Sequence, residues 1–148
     1  MNEKITDLKN QYRNIAIIPA RGGSKRIHKK NIKIFHGKPI IAWVIEMALK
    51  SSLFERVIVS TDSEEIAEVS RNFGAEVPFI RPKNLSDDFT SVLDVVRHSI
   101  KIDDHYDNLM QLTTLIYPTA PLLDKCKLEE AINSIKNYDF ALSVTQFS

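Results

Sequence analysis

Apolar and polar positions along this chain separate buried strands from one-sided helices. Residues 14–20 (NIAIIPA) form an almost continuous apolar run ending at Arg-Gly-Gly, the pattern of a strand buried on both faces. Residues 39–49 carry proline in the first turn of an apolar stretch and predict a helix. RVIVS, residues 56–60, reads as a second strand. Asp62 is placed to cap a helix through Phe73, with Glu65 at the capping-box position and Ile66, Val69 and Phe73 on its apolar face. Gly74 suits its C-cap. Residues 76–80 predict a short strand, followed by the loop RPKNLSDD. Over residues 90–102, Val92, Val95, Val96, Ser99 and Ile100 make the stripe of a core-facing helix. Residues 108–117 predict another strand, Leu128, Ala131, Ile132 and Ile135 another helix, and residues 140–145 (FALSVT) a last strand.

Alternating strands and helices predict a mostly parallel sheet with helices on both faces. Ligands of such sheets bind beyond the carboxyl ends of the strands. The loops at residues 21–30, 61–62, 81–88 and 118–121 all follow strand ends and are expected to converge on one rim. Residues 1–13 form a polar extension, and residues 14–148 one domain. The chain stops soon after the last predicted strand, so the domain is expected to be the N-terminal part of a larger fold.

Bulk properties narrow the function classes. The 148 residues are 43% hydrophobic and 26% charged, which suits one soluble domain with a core. A net charge of +1 argues against a general nucleic-acid binder. The polar N-terminus lacks the apolar stretch of a signal peptide, and no apolar run approaches the ~20 residues of a membrane span. A cytoplasmic protein without a membrane partner is expected. The single cysteine, Cys126, sits in a helical pattern without a nearby histidine and reads as a structural thiol. His28, His36, His98 and His105 have no ligand spacing. Trp43, in an apolar helix, reads as core.

Positive charge gathers at one place. Arg21, Lys25, Arg26, Lys29 and Lys30 lie within ten residues, beside Gly22 and Gly23 and just past the first strand. Glycines there allow a tight turn and bring N–H groups close to an anion, and the cations neutralise it. This is a candidate polyphosphate loop, although neither the P-loop nor the dinucleotide fingerprint is present. The alternative is a solvated charged loop. Asp62 could serve as a cap or in catalysis, and Asp87 and Asp88 as caps for the helix after them or as site residues.

The segments IAIIPARGGSKRI-x-x-KNIK, GKPIIAW, VIVSTDSEEIAEV, GAEVPFIRP-x-x-LSDD and YPTAP resemble the acylneuraminate cytidylyltransferase family, most closely its pseudaminic acid group. The match covers nearly all of residues 14–144. The resemblance implies a three-layer α/β/α nucleotide-diphospho-sugar transferase fold, Rossmann-like. It implies CTP and a nonulosonic acid as reactants, CMP-sugar and pyrophosphate as products, and a divalent cation, usually Mg2+. Arg21 and Lys30 would be catalytic. Arg21, Gly22, Gly23, Ser24, Lys25, Lys30, Asn31, Arg81 and Asp88 would bind the nucleotide, and Tyr117, Thr119 and Ala120 the sugar. No metal ligand is identified in these segments; in the family those aspartates, and an arm that builds a homodimer, lie further along. Tyr117, Ala120 and Leu123 replace residues usual in sialate enzymes and point to pseudaminate, while N-acetylneuraminate and legionaminate stay open. His28 stands where proline is usual. A CTP-binding piece without turnover, half of a split enzyme, or a nucleotidyltransferase for another sugar are the competing readings.

Overall fold

A computed structural model describes residues 13–102, 111–135 and 138–144. Strand β1 (Arg13–Pro19) leads through a 3-10 turn (Lys30–Ile32) to a small hairpin, β2 (Ile34–Phe35) and β3 (Lys38–Pro39). Helix α1 (Ile40–Ser51), β4 (Arg56–Ser60) and α2 (Glu64–Asn72) follow, then a 3-10 turn (Lys83–Leu85), α3 (Val92–Ile102), β5 (Gln111–Leu115) and α4 (Lys125–Ser134). Residues 1–12 of the predicted extension and residues 108–110, with His105 and Thr145, lie outside the described residues, whereas Arg13, expected to end the extension, already opens β1.

β1 is the middle of a three-stranded parallel sheet, between β4 and β5. Ile17 stands opposite Ile58 on one side and Leu115 on the other. The two-residue period then divides β1 between two cores. Ala16 and Ile18, with Val57 and Val59 of β4, pack against α1 (Ile41, Val44, Ile45), α2 (Ile66, Ala67) and α4 (Leu128, Ile132). Ile15, Ile17 and Ile58 face the other way, toward Val96 and Ile100 of α3. Helices therefore cover both faces, which is why β1 has no polar alternation. Each fully buried isoleucine contributes about 1.5–3 kcal/mol by leaving water.

Several local expectations need correction. Ser63, not Asp62, caps α2: its Oγ accepts the Ile66 N–H at 3.4 Å. Glu65 closes no capping box but pairs with Lys29 at 2.6 Å. Gly74 does end the helix, with φ of 92°. Residues 76–80 make no continuous strand; their backbone pairs through two isolated parallel bridges, Glu76 with Ile58 of β4 and Ile80 with Thr61 just past it, and the Glu76 carboxylate pairs with Arg56. Pro78 lies between these bridges and has no N–H to donate. Residues 140–144 form no strand either, and Phe140, Leu142 and Val144 are 72%, 77% and 87% exposed. An alternating pattern becomes a strand only beside a partner backbone, and no described segment pairs with this one.

Trp43 is only partly buried. Its indole N–H donates to the Phe35 carbonyl at 2.8 Å, and the Lys38 ammonium lies 3.8 Å from its ring centre. It braces the hairpin, whose turn residues His36 and Gly37 both have positive φ, 46° and 87°. Glu46, between Lys38 and Lys50 at 2.7 Å each, has its carboxyl lowered to about 2 by those ammonium groups. Cys126 is exposed on the first turn of α4 rather than buried. Among the described residues, no helix is long and apolar enough to cross a membrane.

Candidate functional site

Because β1, β4 and β5 run parallel, the loops after them emerge on one rim. β1 connects toward β4 on one side, and the chain returns by way of α3 to β5 on the other. The gap beyond β1 and β5 is thus the point where the winding reverses, the usual ligand crevice of such sheets. A cleft of about 250 Å³ lies there. Arg21, Ser24, Lys30 and Asn31 line it from the loop after β1, Arg81 and Asp88 from the loop before α3, and Tyr117 and Thr119 from the turn after β5. Gly22, Gly23, Lys25 and Ala120, also candidates from sequence, are not part of this lining. Leu85, Thr90, Val92, Val95 and Pro118 are, although the sequence pattern presents Val92 and Val95 only as a core stripe.

The glycines act differently from the expectation. Neither Gly22 nor Gly23 has positive φ; in this loop it is Lys29, at 49°, that does. The Gly22 N–H is not offered to a ligand but donates to Asp62 Oδ1 at 2.8 Å. A side chain at Gly22 would bring its Cβ to 3.0 Å from the Ser63 Cβ, so the residue is small because the loop rests on the turn before α2. At Gly23 a Cβ would meet nothing within 4 Å. Ser24 closes the loop, its N–H donating to the Gly22 carbonyl at 2.9 Å.

Asn31 is 3% exposed. Its Nδ2 donates to the Arg21 carbonyl at 2.9 Å, while its buried Oδ1 has no hydrogen-bond partner. A buried amide oxygen left without a donor at a cleft wall is costly unless a ligand supplies one.

The cations are partly matched already. Arg21 Nη1 donates to Asp88 Oδ1 at 2.6 Å and to the Asp87 carbonyl at 3.0 Å, and Lys25 Nζ pairs with Asp88 Oδ2. The Lys25 ammonium, and then the Arg21 guanidinium, holds the Asp88 carboxyl below its ordinary range. Asp88 is thus an anion seated among the cations. Asp87 acts locally, because its Oδ1 accepts from the Thr90 hydroxyl and N–H, both at 2.7 Å, and from the Phe89 N–H at 2.9 Å. Those bonds lower its carboxyl too, the Thr90 hydroxyl foremost. Neither aspartate caps α3, since Ser91 Oγ accepts the Asp94 N–H at 3.1 Å. Lys29 is drawn off to Glu65 on α2, away from the cleft.

A family model described as Cytidylyltransferase matches residues 15–148. The chain belongs to the cytidylyltransferase family. It is 47% identical over 137 residues to the pseudaminic acid cytidylyltransferase of Campylobacter jejuni serotype O:2, covering 91% of this chain and 59% of that protein. It is 37% identical to the N-acylneuraminate cytidylyltransferase of Escherichia coli O18:K1:H7, covering 89% of this chain and 31% of that one. The chain thus spans less than two thirds of the length of either of these curated relatives. A solved CMP:2-keto-3-deoxy-manno-octonic acid synthetase complexed with CTP superposes with a TM-score of 0.69 at 24% identity, covering 85% of this chain and 48% of that one. A cytidylyltransferase from Leptospira borgpetersenii gives 0.67 at 18% identity, covering 86% and 50%. These likenesses establish the nucleotide-diphospho-sugar transferase fold.

Cytidylyltransferases typically use a divalent cation. Among the described residues, no group of three or more His, Cys, Asp or Glu is placed to hold one. Asp62, Asp87 and Asp88 are each engaged by N–H groups, hydroxyls or cations.

Proposed function

We propose that this cytidylyltransferase binds CTP in the cleft beyond β1 and β5 and transfers its cytidylyl group to a nonulosonic acid, pseudaminic acid first. The observation that carries this reading is the convergence of Arg21, Ser24, Lys30, Asn31 and Arg81 on one cleft at the reversal point of the sheet. Names of relatives support the sugar class: pseudaminic acid for the Campylobacter protein, N-acylneuraminate for the Escherichia one.

In the proposed reaction the anomeric hydroxyl of the sugar attacks the α-phosphorus. The bond between the α-phosphorus and the bridging oxygen breaks, pyrophosphate leaves with that oxygen, and the hydroxyl proton is released. CTP carries about four negative charges, so the protein's part is largely to position and neutralise. Arg21 would hold phosphate oxygens in a planar fork, and Lys25 and Lys30 would act as point charges. Asp88 now takes the place such oxygens would fill, so binding exchanges one anion for another at Arg21 and Lys25. Asn31 Oδ1 suits a donor of the base or ribose, Arg81 recognises the nucleotide, and Tyr117 and Thr119 face the sugar side. Gly23, with open space in front of it, permits close approach of the ligand, whereas Gly22 and Ala120 act through the backbone. Mg2+ belongs to this proposal as the ion that accompanies the triphosphate. A homodimer in the cytoplasm completes the reading.

The test measures pyrophosphate release with CTP, Mg2+ and pseudaminic, N-acetylneuraminic and legionaminic acids in turn, beside thermal-shift titrations with CTP, UTP and GTP. Selective stabilisation by CTP and release with pseudaminic acid are expected. Stabilisation by UTP or GTP and not by CTP overturns the nucleotide assignment. CTP binding without release leaves a nucleotide-binding protein that turns nothing over.

A further inference from the structure

We infer that Asp62 is a positioning residue: it fixes the peptide between Arg21 and Gly22 and supplies the counter-charge of the buried Arg81. The inference rests on the nucleotide reading for its purpose, but its geometry stands without it.

The Arg21 carbonyl and the Gly22 N–H belong to one peptide group. Asn31 Nδ2 holds the carbonyl at 2.9 Å, and Asp62 Oδ1 holds the N–H at 2.8 Å. A peptide plane gripped at both ends cannot rotate. Its orientation decides where the Arg21 side chain leaves the backbone and where residues 23–24 run. Asp62 is free for this because Ser63 has taken over the helix cap. The turn carrying it is stiff: Thr61 is fully buried, and its Oγ1 accepts the Ser63 N–H at 3.2 Å. The absence of a side chain at Gly22 lets the loop sit against this turn.

Asp62 Oδ1 also lies 3.8 Å from Arg81 Nη2. Arg81 is 4% exposed, and its other hydrogen bonds among the described residues go to neutral groups: its backbone N–H donates to the Thr61 carbonyl at 2.7 Å and its Nε to Ser86 Oγ at 3.2 Å. Burial disfavours its charge, the Asp62 carboxylate restores it, and Arg21 opposes it. His98, pushed down by burial and then by the charge of Arg81, offers no anion. A buried cation without a paired anion is expensive, so Asp62 offsets the cost of holding the Arg81 guanidinium in the cleft wall. One carboxylate thereby serves both the phosphate loop and the wall that carries Arg81.

Two variants of the full chain separate the two roles. Asp62→Asn keeps an oxygen for the Gly22 N–H and removes the charge; Asp62→Ala removes both. NMR titrations with pyrophosphate alone and with cytidine alone read the two parts of the site. Asp62→Ala is expected to weaken both about tenfold, the scale of a lost charged hydrogen bond. Asp62→Asn is expected to recover most pyrophosphate binding and little cytidine binding. General destabilisation would weaken both ligands alike in both variants, and that result overturns the inference. The Gly22 amide proton is a second readout that needs no ligand. It should resonate downfield in the wild type, near there in Asp62→Asn, and upfield in Asp62→Ala. If the wild type binds neither ligand, the nucleotide reading fails, and the amide shift still decides the role of Asp62. An unchanged amide in Asp62→Ala refutes that role.

Discussion

Gly22 and Gly23 are adjacent and chemically identical, yet the structure gives them opposite tolerances. Gly22→Ala would set a methyl group 3.0 Å from the Ser63 Cβ and 3.9 Å from Asp62 Oδ1. The Ser63 Cβ is fixed to the backbone of a capped helix start and cannot swing aside. Relief comes only by lifting the loop, which stretches the 2.8 Å bond from the Gly22 N–H to Asp62. Overpacking of this kind costs about 1–3 kcal/mol. For a domain of this size each kcal/mol lowers Tm by about 2–4 °C, so a fall of about 2–12 °C is expected. Gly23→Ala meets nothing within 4 Å and its φ is not positive, so its stability should stay within about 0.5 kcal/mol of wild type. Thermal melts without ligand, read by circular dichroism, measure both. CTP titration of the two variants then separates loop geometry from ligand approach: Gly23→Ala should lose affinity while keeping its melting temperature. Equal melting temperatures for the two variants, or a larger loss for Gly23→Ala, would refute the packing argument.

Arg21→Ala should raise the Kd for CTP about tenfold or more, as loss of a charged hydrogen bond does, whereas Lys29→Ala, whose side chain is bound to Glu65, should leave it within about twofold; equal effects in calorimetric titrations would mean that the loop acts as diffuse charge. Asp88→Asn frees Arg21 and Lys25 and should tighten pyrophosphate and CTP binding with a steeper salt dependence; weaker binding would make Asp88 a direct partner of the nucleotide. Because the folded Asp88 carboxyl titrates below its ordinary value, its contribution to stability is present above the ordinary carboxylate range and is lost as pH falls through the lowered value. The difference in Tm between wild type and Asp88→Asn should therefore be constant at neutral pH and shrink on acidification; a difference that grows toward acid contradicts the sign.

Much of the fold is legible in the sequence because burial writes a period into the chain. β1 has no polar alternation since Ile15 and Ile17 serve one core and Ala16 and Ile18 the other. The same kind of pattern misleads at residues 140–144, where the alternation is present and no described strand lies alongside. It misleads again at residues 76–80, where Pro78 interrupts the pairing that the flanking bridges begin. At the cleft, Arg21, Ser24, Lys30 and Asn31 are readable as one charged glycine loop past a strand end. Leu85, Val92, Val95 and Pro118 are not readable as cleft walls, because an apolar residue looks the same whether it faces a core or a crevice. Asp62 and Ser63 are both good helix caps by residue type, and only the position of the Gly22 N–H shows which of them has another role.

By itself the sequence determined the alternation of strands and helices, the rim on which the loops emerge and the local excess of cations after β1. These depend on residue type and spacing over a few turns of chain. The tertiary structure alone decided what those charges meet. Asp88 reaches Arg21 from 67 positions away, and Asp62 reaches Gly22 from 40. Such pairings follow from the register of parallel strands and the path of the crossovers between them, which bring distant loops to one edge. Electrostatic energy depends on separation in space, so the partner of each cation became visible only once the sheet was assembled.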